Sequence, residues 1–257
     1  MNLSILMPAL RSRRKLRKQM EAVLLPQVER HRDVELLVEE DSGRIPSGEK
    51  RNRLIQRSAG EYFCFVDDDD LVTADYVRQI REACLSGAAV ISFWIERIGS
   101  DRPRQIHEFS IRHEDGRRLP NGNAAMAANH LCAWRRDVGT AVAFPPHLGY
   151  NDDLFWYTPL LASGLVKTEH HLPRVLYTYR YDSASTVNQR SESVRRTHQW
   201  AAGGVESFWR PDGQIVIAVA GRRHLAADAT VRVRDRKNRI HELPRSELRC
   251  FCTVRAR

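Results

Sequence analysis

Along residues 1–95, short apolar runs alternate with longer stretches whose apolar residues recur at helical spacing. LSILMP (3–8) reads as a buried strand, after which Leu16, Met20, Val23 and Leu24 share one face of a helix over 12–24. DVELLV (33–38) is a second buried strand that closes on an acidic turn, Glu39-Glu40-Asp41-Ser42-Gly43. Ser47 is placed to cap a helix over 50–59 that stops at Gly60. Residues 62–66 form a third strand, Thr73 caps a helix running to Leu85 with Gly87 as its terminator, and AAVISFWI (88–95) is a further strand. This alternation predicts βαβ units, hence an α/β fold with a doubly wound, mostly parallel sheet. Ligands of such sheets gather outside the carboxyl ends of the strands. Both acidic clusters, Glu39–Asp41 and Asp67–Asp70, fall at strand carboxyl ends, so they are expected to face one crevice.

The second half is less regular. Residues 97–123 are polar, with Gly and Pro, and predict hairpins or a loop. His130–Arg135 reads as a strand ending in basic residues. Asn151-Asp152-Asp153 opens a helix carrying Leu154, Phe155, Tyr157, Leu160 and Leu161 that ends near Gly164, and LPRVLYTYRY (172–181) is a strand. From about 205 the pattern changes to short alternating strands, in QIVIAVAG, ATVRVRD and RCFCTVRAR, with no helices between them. The expected division is an α/β domain over 1–200 and a small, basic, β-rich appendage over 205–257.

Composition narrows the class. With 42% hydrophobic and 28% charged residues in 257, the chain reads as an ordinary soluble globular protein. No apolar run approaches the roughly 18 residues of a membrane span. The basic residues of the opening segment follow its apolar stretch, the wrong order for a secretory signal. Five scattered cysteines (Cys64, Cys84, Cys132, Cys250, Cys252) do not suggest a disulfide framework, which points to a reducing cytoplasm. Cys250 and Cys252 lack a second pair to close a zinc site, and strand alternation accounts for them. The net charge of +9 is concentrated in two places: six Arg or Lys within residues 11–18, and eleven against four acids in 222–257. These patches fit a polyanionic partner, the inner face of an anionic membrane, or simply a solvated surface.

The chemistry centres on carboxylates. Four consecutive aspartates after an apolar strand repel one another, and helix capping ahead of residue 73 would use only one or two. A hard divalent cation, Mg²⁺ or Mn²⁺, takes such oxygen ligands and bridges them to substrate phosphates. Neither G-x-G-x-x-G nor a P-loop motif occurs. Asp152 and Asp153 form a second pair, one of which could cap the helix that follows. Trp94, Trp134 and Trp156 could stack on a sugar or a base, or fill the core.

LSILMPAL, VELLVEEDSG and SGEKRNRLIQRSAGEYFCFVDDDDL together resemble the opening half of family 2 glycosyltransferases of GT-A fold. CAWRRDV (132–138), GYNDDLFWYTPLLASG (149–164) and VLYTYRYDSASTV (175–187) are similar to later landmarks of that family, so the resemblance spans about residues 2–188. It implies an inverting transferase that moves a sugar from a nucleotide-diphosphate donor, a UDP-sugar above all, to an acceptor hydroxyl. On that resemblance Asp67 and Asp69 would hold the metal, with His170 (or His171) as a late additional ligand and Asp70 supporting the turn. Glu40 or Asp41 would meet the base or ribose, and Lys50, Arg51, Asn52 and Arg180 would lie near the nucleotide, with Asp68 grouped beside them without a separate role. Asp153 would be the general base and Asp152 its partner. Three alternatives follow for the biology. The acceptor is a glycan or lipid-linked saccharide, or it is hydroxymethylated pyrimidine in DNA held by the basic C-terminal run. On the third, the protein is a non-enzymatic nucleotide-sugar or nucleic-acid binder on the same scaffold.

Overall fold

The structure, a computed structural model, describes residues 2–99, 103–113, 116–146, 148–149 and 151–182, and the strand backbones of 205–209, 215–219, 230–234, 240–244 and 249–254. The apolar run at the start becomes β1, Leu3–Leu10, buried along almost its whole length because both of its faces are covered. Such a strand belongs inside a parallel sheet. It pairs in parallel with β2, Val34–Asp41, on one side and with β3, Tyr62–Phe65, on the other. β2 lies at the sheet edge and is only partly buried.

A 3₁₀ turn, Arg11–Arg13, leads from β1 into α1, Arg14–Val28. α2, Ser47–Arg57, returns from β2 to β3 and packs on β1 and β2. After β3 come a two-residue β4, Leu71–Val72, then α3, Tyr76–Cys84, and β5, Val90–Gly99. Gly87, at a φ of +69°, ends the turn after α3 as the sequence predicts.

Two helix ends differ from the sequence reading. α2 begins at Ser47 itself, with Pro46 ahead of it, so Ser47 is not a cap. Its hydroxyl instead donates to Asp152 Oδ1 at 2.9 Å. The helix also stops at Arg57, before Gly60, because Ser58 turns to extended backbone. Gly60 is required for close approach: a Cβ there would sit 2.6 Å from the Ser4 nitrogen. The acidic residues after the second strand are likewise not a turn, since Glu39, Glu40 and Asp41 pair in register with Pro8, Ala9 and Leu10.

Residues 105–127 contribute β6, Gln105–Ser110, β7, Arg117–Arg118, and β8, Ala124–Ala127. β9 is only Ala133–Arg135, and His130 lies in the loop before it. A one-turn α4, Arg136–Gly139, precedes α5, Leu154–Ala162, and β10, Glu169–Tyr181. The sheet order is β2-β1-β3-β9-β5-β6-β8-β7, with β10 along β5 and β4 on β10. β9 runs antiparallel between β3 and β5, but most paired residues lie in the parallel ladders β1–β2, β1–β3, β5–β10 and β6–β8. The fold is therefore α/β, with a mixed, mostly parallel sheet. Beyond residue 204 a separate five-stranded antiparallel sheet contains β11 (Val205–Trp209), β12 (Ile215–Val219), β13 (Thr230–Arg234), β14 (Ile240–Pro244) and β15 (Arg249–Val254).

An aromatic cluster fixes α5 over the sheet. Trp156 stacks on Phe144 with ring centroids 4.5 Å apart and meets Trp134 edge-on at 5.2 Å, while Phe144 meets Phe65 edge-on at 5.4 Å. Both indoles are fully buried, and each finds a carbonyl: Trp156 donates to Gly139 and Val142, Trp134 to Asn129. Trp134 and Trp156 are thus core, and they hold the start of α5 against the end of β3.

Gly48 performs a related task from the other side. A Cβ at this position would lie 2.0 Å from the Pro145 carbonyl oxygen and 3.4 Å from the Asp152 Cβ. Gly48→Ala is expected to cost about 1–3 kcal/mol through overpacking. A thermal melt checks this, with the midpoint falling by several degrees; an unchanged midpoint would rule out the tight contact.

Candidate active site

The acidic cluster sits where β3 ends. Val66 still donates to the Leu6 carbonyl, and Asp70 closes a turn onto the Asp67 carbonyl at 3.2 Å. Asp70 is fully buried and keeps that turn, accepting from the Tyr177 hydroxyl and from the Arg180 amide, both at 2.7 Å. Arg180 finishes the latch by donating to the Asp69 and Asp70 carbonyls and to Gln19. Its guanidinium is therefore committed to the backbone of the loop.

The remaining three aspartates lean on cations. Arg13 spans Asp68 and Asp69 at 3.1 and 3.0 Å, and Asp68 also accepts from the Leu10 amide at 2.6 Å. Asp68 thereby acquires a role that its sequence position did not suggest: it ties the cluster to the end of β1. Asp67 receives Arg51 on Oδ1 at 3.1 Å and faces His130 Nε2 at 3.5 Å through Oδ2.

Arg51 is buried and reaches in two directions. Its other terminal nitrogen donates to Asp152, which also accepts from Ser47. The guanidinium carbon lies 5.5 Å from the Phe65 ring centre and 5.6 Å from that of Phe144. Asp153, next along the chain, faces His130 Nδ1 at 3.1 Å. Asn151, in the left-handed region at a φ of 58°, turns the chain so that the two carboxylates point to different partners. The side chain of Asp153 makes no capping bond to α5, and Asp152 is spent on Ser47 and Arg51. Neither carboxylate is consumed as a helix cap.

Electrostatics sort these groups. Burial alone would raise Asp67, but Arg51 and His130 outweigh it and hold its carboxyl below the usual range. Asp153 behaves the same way, with His130 and Arg51 overcoming burial, so it is ionised at neutral pH. Asp152 moves up, because burial and the neighbouring Asp153 exceed the pull of Arg51. His130 is raised: burial and Arg51 lower it, and Asp153 and Asp67 more than compensate. Asp70 is pushed well up by burial and by Asp69 and Asp67.

Other residues singled out from the sequence are placed as follows. Lys50 is buried, donating to Asp41 Oδ1 at 2.8 Å and to the Ala9 carbonyl at 3.0 Å. Asp41 also accepts the Arg44 and Ile45 amides, so it braces the entry to α2. Glu40 is held by Arg17 and Arg11. Asn52 clasps the backbone of Phe144 through both of its side-chain atoms. His170 lies at the amino end of β10, paired with Ile91, seven residues before Tyr177. At the rise of an extended strand that is roughly 20 Å from the aspartates. The structure therefore does not bring His170 to the cluster, nor His171, whose ring meets Ser92. The histidine at the site is His130, read from the sequence only as the start of a strand. Arg13 was likewise read only as part of a basic run. Its commitment, with those of Arg11 and Arg17, leaves less of residues 11–18 free for a polyanion.

Asp69 carries the consequence of crowding. Burial raises it most, Arg13 pulls it back, and the charges of Asp67 and Asp68 push it up to about 7. A carboxyl whose value is higher folded than unfolded favours the fold while protonated, and this contribution is lost as pH rises from about 4 toward 7. Asp69→Asn should therefore raise stability above pH 7, by on the order of 1 kcal/mol in the presence of EDTA. Thermal melts across pH test this: the gain over wild type should shrink as pH falls from 7 and vanish below about pH 4. A pH-independent difference would contradict it.

Comparison with known proteins bears on this arrangement. The family model for glycosyl transferase family 2 matches residues 37–139, from β2 through α4 and including Asp41, Arg51, Asp67–Asp70 and His130. Comparison with curated protein sequences gave no match. Among solved structures, S. aureus TarS 1-349 is 15% identical, over 70% of this chain and 60% of that one, with a TM-score of 0.47. The same protein in complex with UDP-GlcNAc is 15% identical over 79% of this chain and 66% of that one, also at 0.47. The chain thus spans about 60% of the length of the first of these neighbours. Residues 37–139 of the chain thus match the glycosyl transferase family 2 model, and in the α/β fold that segment holds the parallel strand that ends in the acidic cluster.

Proposed function

We propose that this chain transfers a sugar from a nucleotide-diphosphate donor, a UDP-sugar, to an acceptor hydroxyl with inversion at the anomeric carbon. The observation carrying this reading is the division of labour between the two carboxylates that precede α5, beside the carboxyl end of β3. Asp153 is held ionised with its side chain 27% exposed, while Asp152 beside it is buried on Arg51. A general base needs that combination of charge, access and support.

Asp153 takes the proton of the acceptor hydroxyl. The freed oxygen attacks the anomeric carbon as the bond to the diphosphate breaks, and the bonding pair leaves on the diphosphate oxygen. Ser47 and Arg51 hold Asp152, and through the shared backbone they fix where Asp153 stands.

The oxygens of Asp67 and Asp69 suit a hard divalent cation. They share one turn, Asp67 is 25% exposed, and the cluster holds more carboxylates than Arg13 balances. Among the described residues no three His, Cys, Asp or Glu side chains converge as a finished cage, since Arg13 and Arg51 stand on the inward oxygens. Mn²⁺ or Mg²⁺ bound here would supply Lewis-acid stabilisation of the departing diphosphate. Glu40, 21% exposed between Arg11 and Arg17, is the acid at the end of β2 closest to availability for the nucleoside, because Asp41 is fully bonded.

The acceptor is a glycan hydroxyl on this reading. The DNA alternative draws on the basic run 222–257, whose side chains lie outside the described residues. No helix among the described residues is long and apolar enough to cross a membrane. The 1–200 and 205–257 division is retained as part of the proposal.

A screen of UDP-, GDP- and TDP-sugars with Mn²⁺, reading donor hydrolysis and transfer, tests the assignment. Asp153→Asn should lower kcat by about 10²- to 10⁴-fold with UDP affinity kept. EDTA should lower turnover, and added Mn²⁺ should restore it. Full turnover in Asp153→Asn would refute the base.

A further inference from the structure

We infer that His130 is a positioning residue for Asp153, fixing the carboxylate that accepts the acceptor proton; the inference rests on the reading of Asp153 as general base. His130 side chain is 8% exposed, and its two nitrogens face different acids: Nδ1 lies 3.1 Å from Asp153 Oδ2 and Nε2 lies 3.5 Å from Asp67 Oδ2. Nδ1 is a buried polar atom without an aligned hydrogen-bond partner among the described residues. A buried donor is costly without an acceptor, and the acid nearest this one, at 3.1 Å, is Asp153, the carboxylate of the pair that stays accessible.

The imidazole is itself held. The carbonyl of His130 accepts from the Phe65 amide at 3.3 Å, which anchors the loop to the end of β3, and the ring lies 6.4 Å from the Phe65 ring. Asn129 folds back onto the Leu131 amide through its side chain, and its carbonyl accepts from Trp134. The loop that carries His130 is therefore fixed to the same aromatic core that seats α5. The chain segment bearing the base and the segment bearing its positioner are therefore seated on one core.

The two nitrogens make the role separable. Asn at position 130 places an amide where Nδ1 stands and keeps a donor for Asp153. Gln reaches the place of Nε2 and keeps a donor for Asp67 only. Ala keeps neither. His130→Ala and His130→Gln should lower kcat for transfer by about 10- to 100-fold, as misplacement of a reacting group does. His130→Asn should recover most of it, and UDP affinity measured by titration should stay within a few-fold of wild type in all three.

The cycle with Asp153→Asn supplies a second readout. If His130 acts through Asp153, His130→Ala combined with Asp153→Asn should have no lower kcat than Asp153→Asn alone. A merely structural role gives additive losses. Should His130→Ala fail to fold, the Asn and Gln variants and their cycles decide the matter. Recovery by Gln instead of Asn, additivity in the cycle, or wild-type kcat in all variants overturns the inference. Unchanged kcat in Asp153→Asn overturns the base assignment and this inference with it. Loss in Asp153→Asn beside unchanged His130 variants overturns this inference alone.

Discussion

The buried guanidinium of Arg51 is the constraint on which the acidic site depends. It joins the turn after β3 to the start of α5 by holding Asp67 with one arm and Asp152 with the other, and two aromatic rings flank it. A charge taken this far from water is tolerable only when opposite charges meet it directly, and its removal would leave the buried Asp152 without a cation and Asp67 with His130 alone. Asp67, Asp152 and Asp153 in turn hold the guanidinium firmly charged. Planarity matters as much as charge, because one flat fork serves two carboxylates on different elements.

Around that brace the molecule accepts instability in one place. Asp67 to Asp70 pack four carboxyls onto one turn, and each is answered differently. Asp67 has Arg51 and His130, Asp68 has Arg13 and an amide, and Asp70 has a tyrosine hydroxyl and an amide. Asp69 receives the least and shares Arg13 with its neighbour. Carboxylates arranged this way favour a site over a stable fold. The neighbouring pair shows the same division on a smaller scale, with Asp152 buried as a brace and Asp153 left partly open.

Much of this was legible in the chain. The strands and helices of the first 95 residues followed from apolar spacing, and so did the place of both acidic clusters at strand carboxyl ends. Other features were not. The start of α2 was misread because Ser47 looks like a cap, yet its hydroxyl serves Asp152 more than 100 residues away. His170 lay near the right landmark, but β10 extends back as far as Glu169, which puts that histidine at the wrong end of the strand. Arg13 was hidden in a basic run, since local sequence cannot distinguish a solvated arginine from one spent on Asp68 and Asp69.

The sequence by itself determined which chemistry is available: carboxylates at two strand ends, a later Asp-Asp pair, and the basic residues to offset them. Those follow from residue type and local periodicity, which act over a few positions. Only the tertiary structure decided which carboxylate is buried and which is open, and which cation faces which acid. That depends on contacts between residues far apart in the chain, such as Arg51 with Asp152 and His130 with Asp67, and on desolvation by a shared aromatic core. Burial and partner choice are properties of the packed whole, and they set the charge state on which the proposed transfer relies.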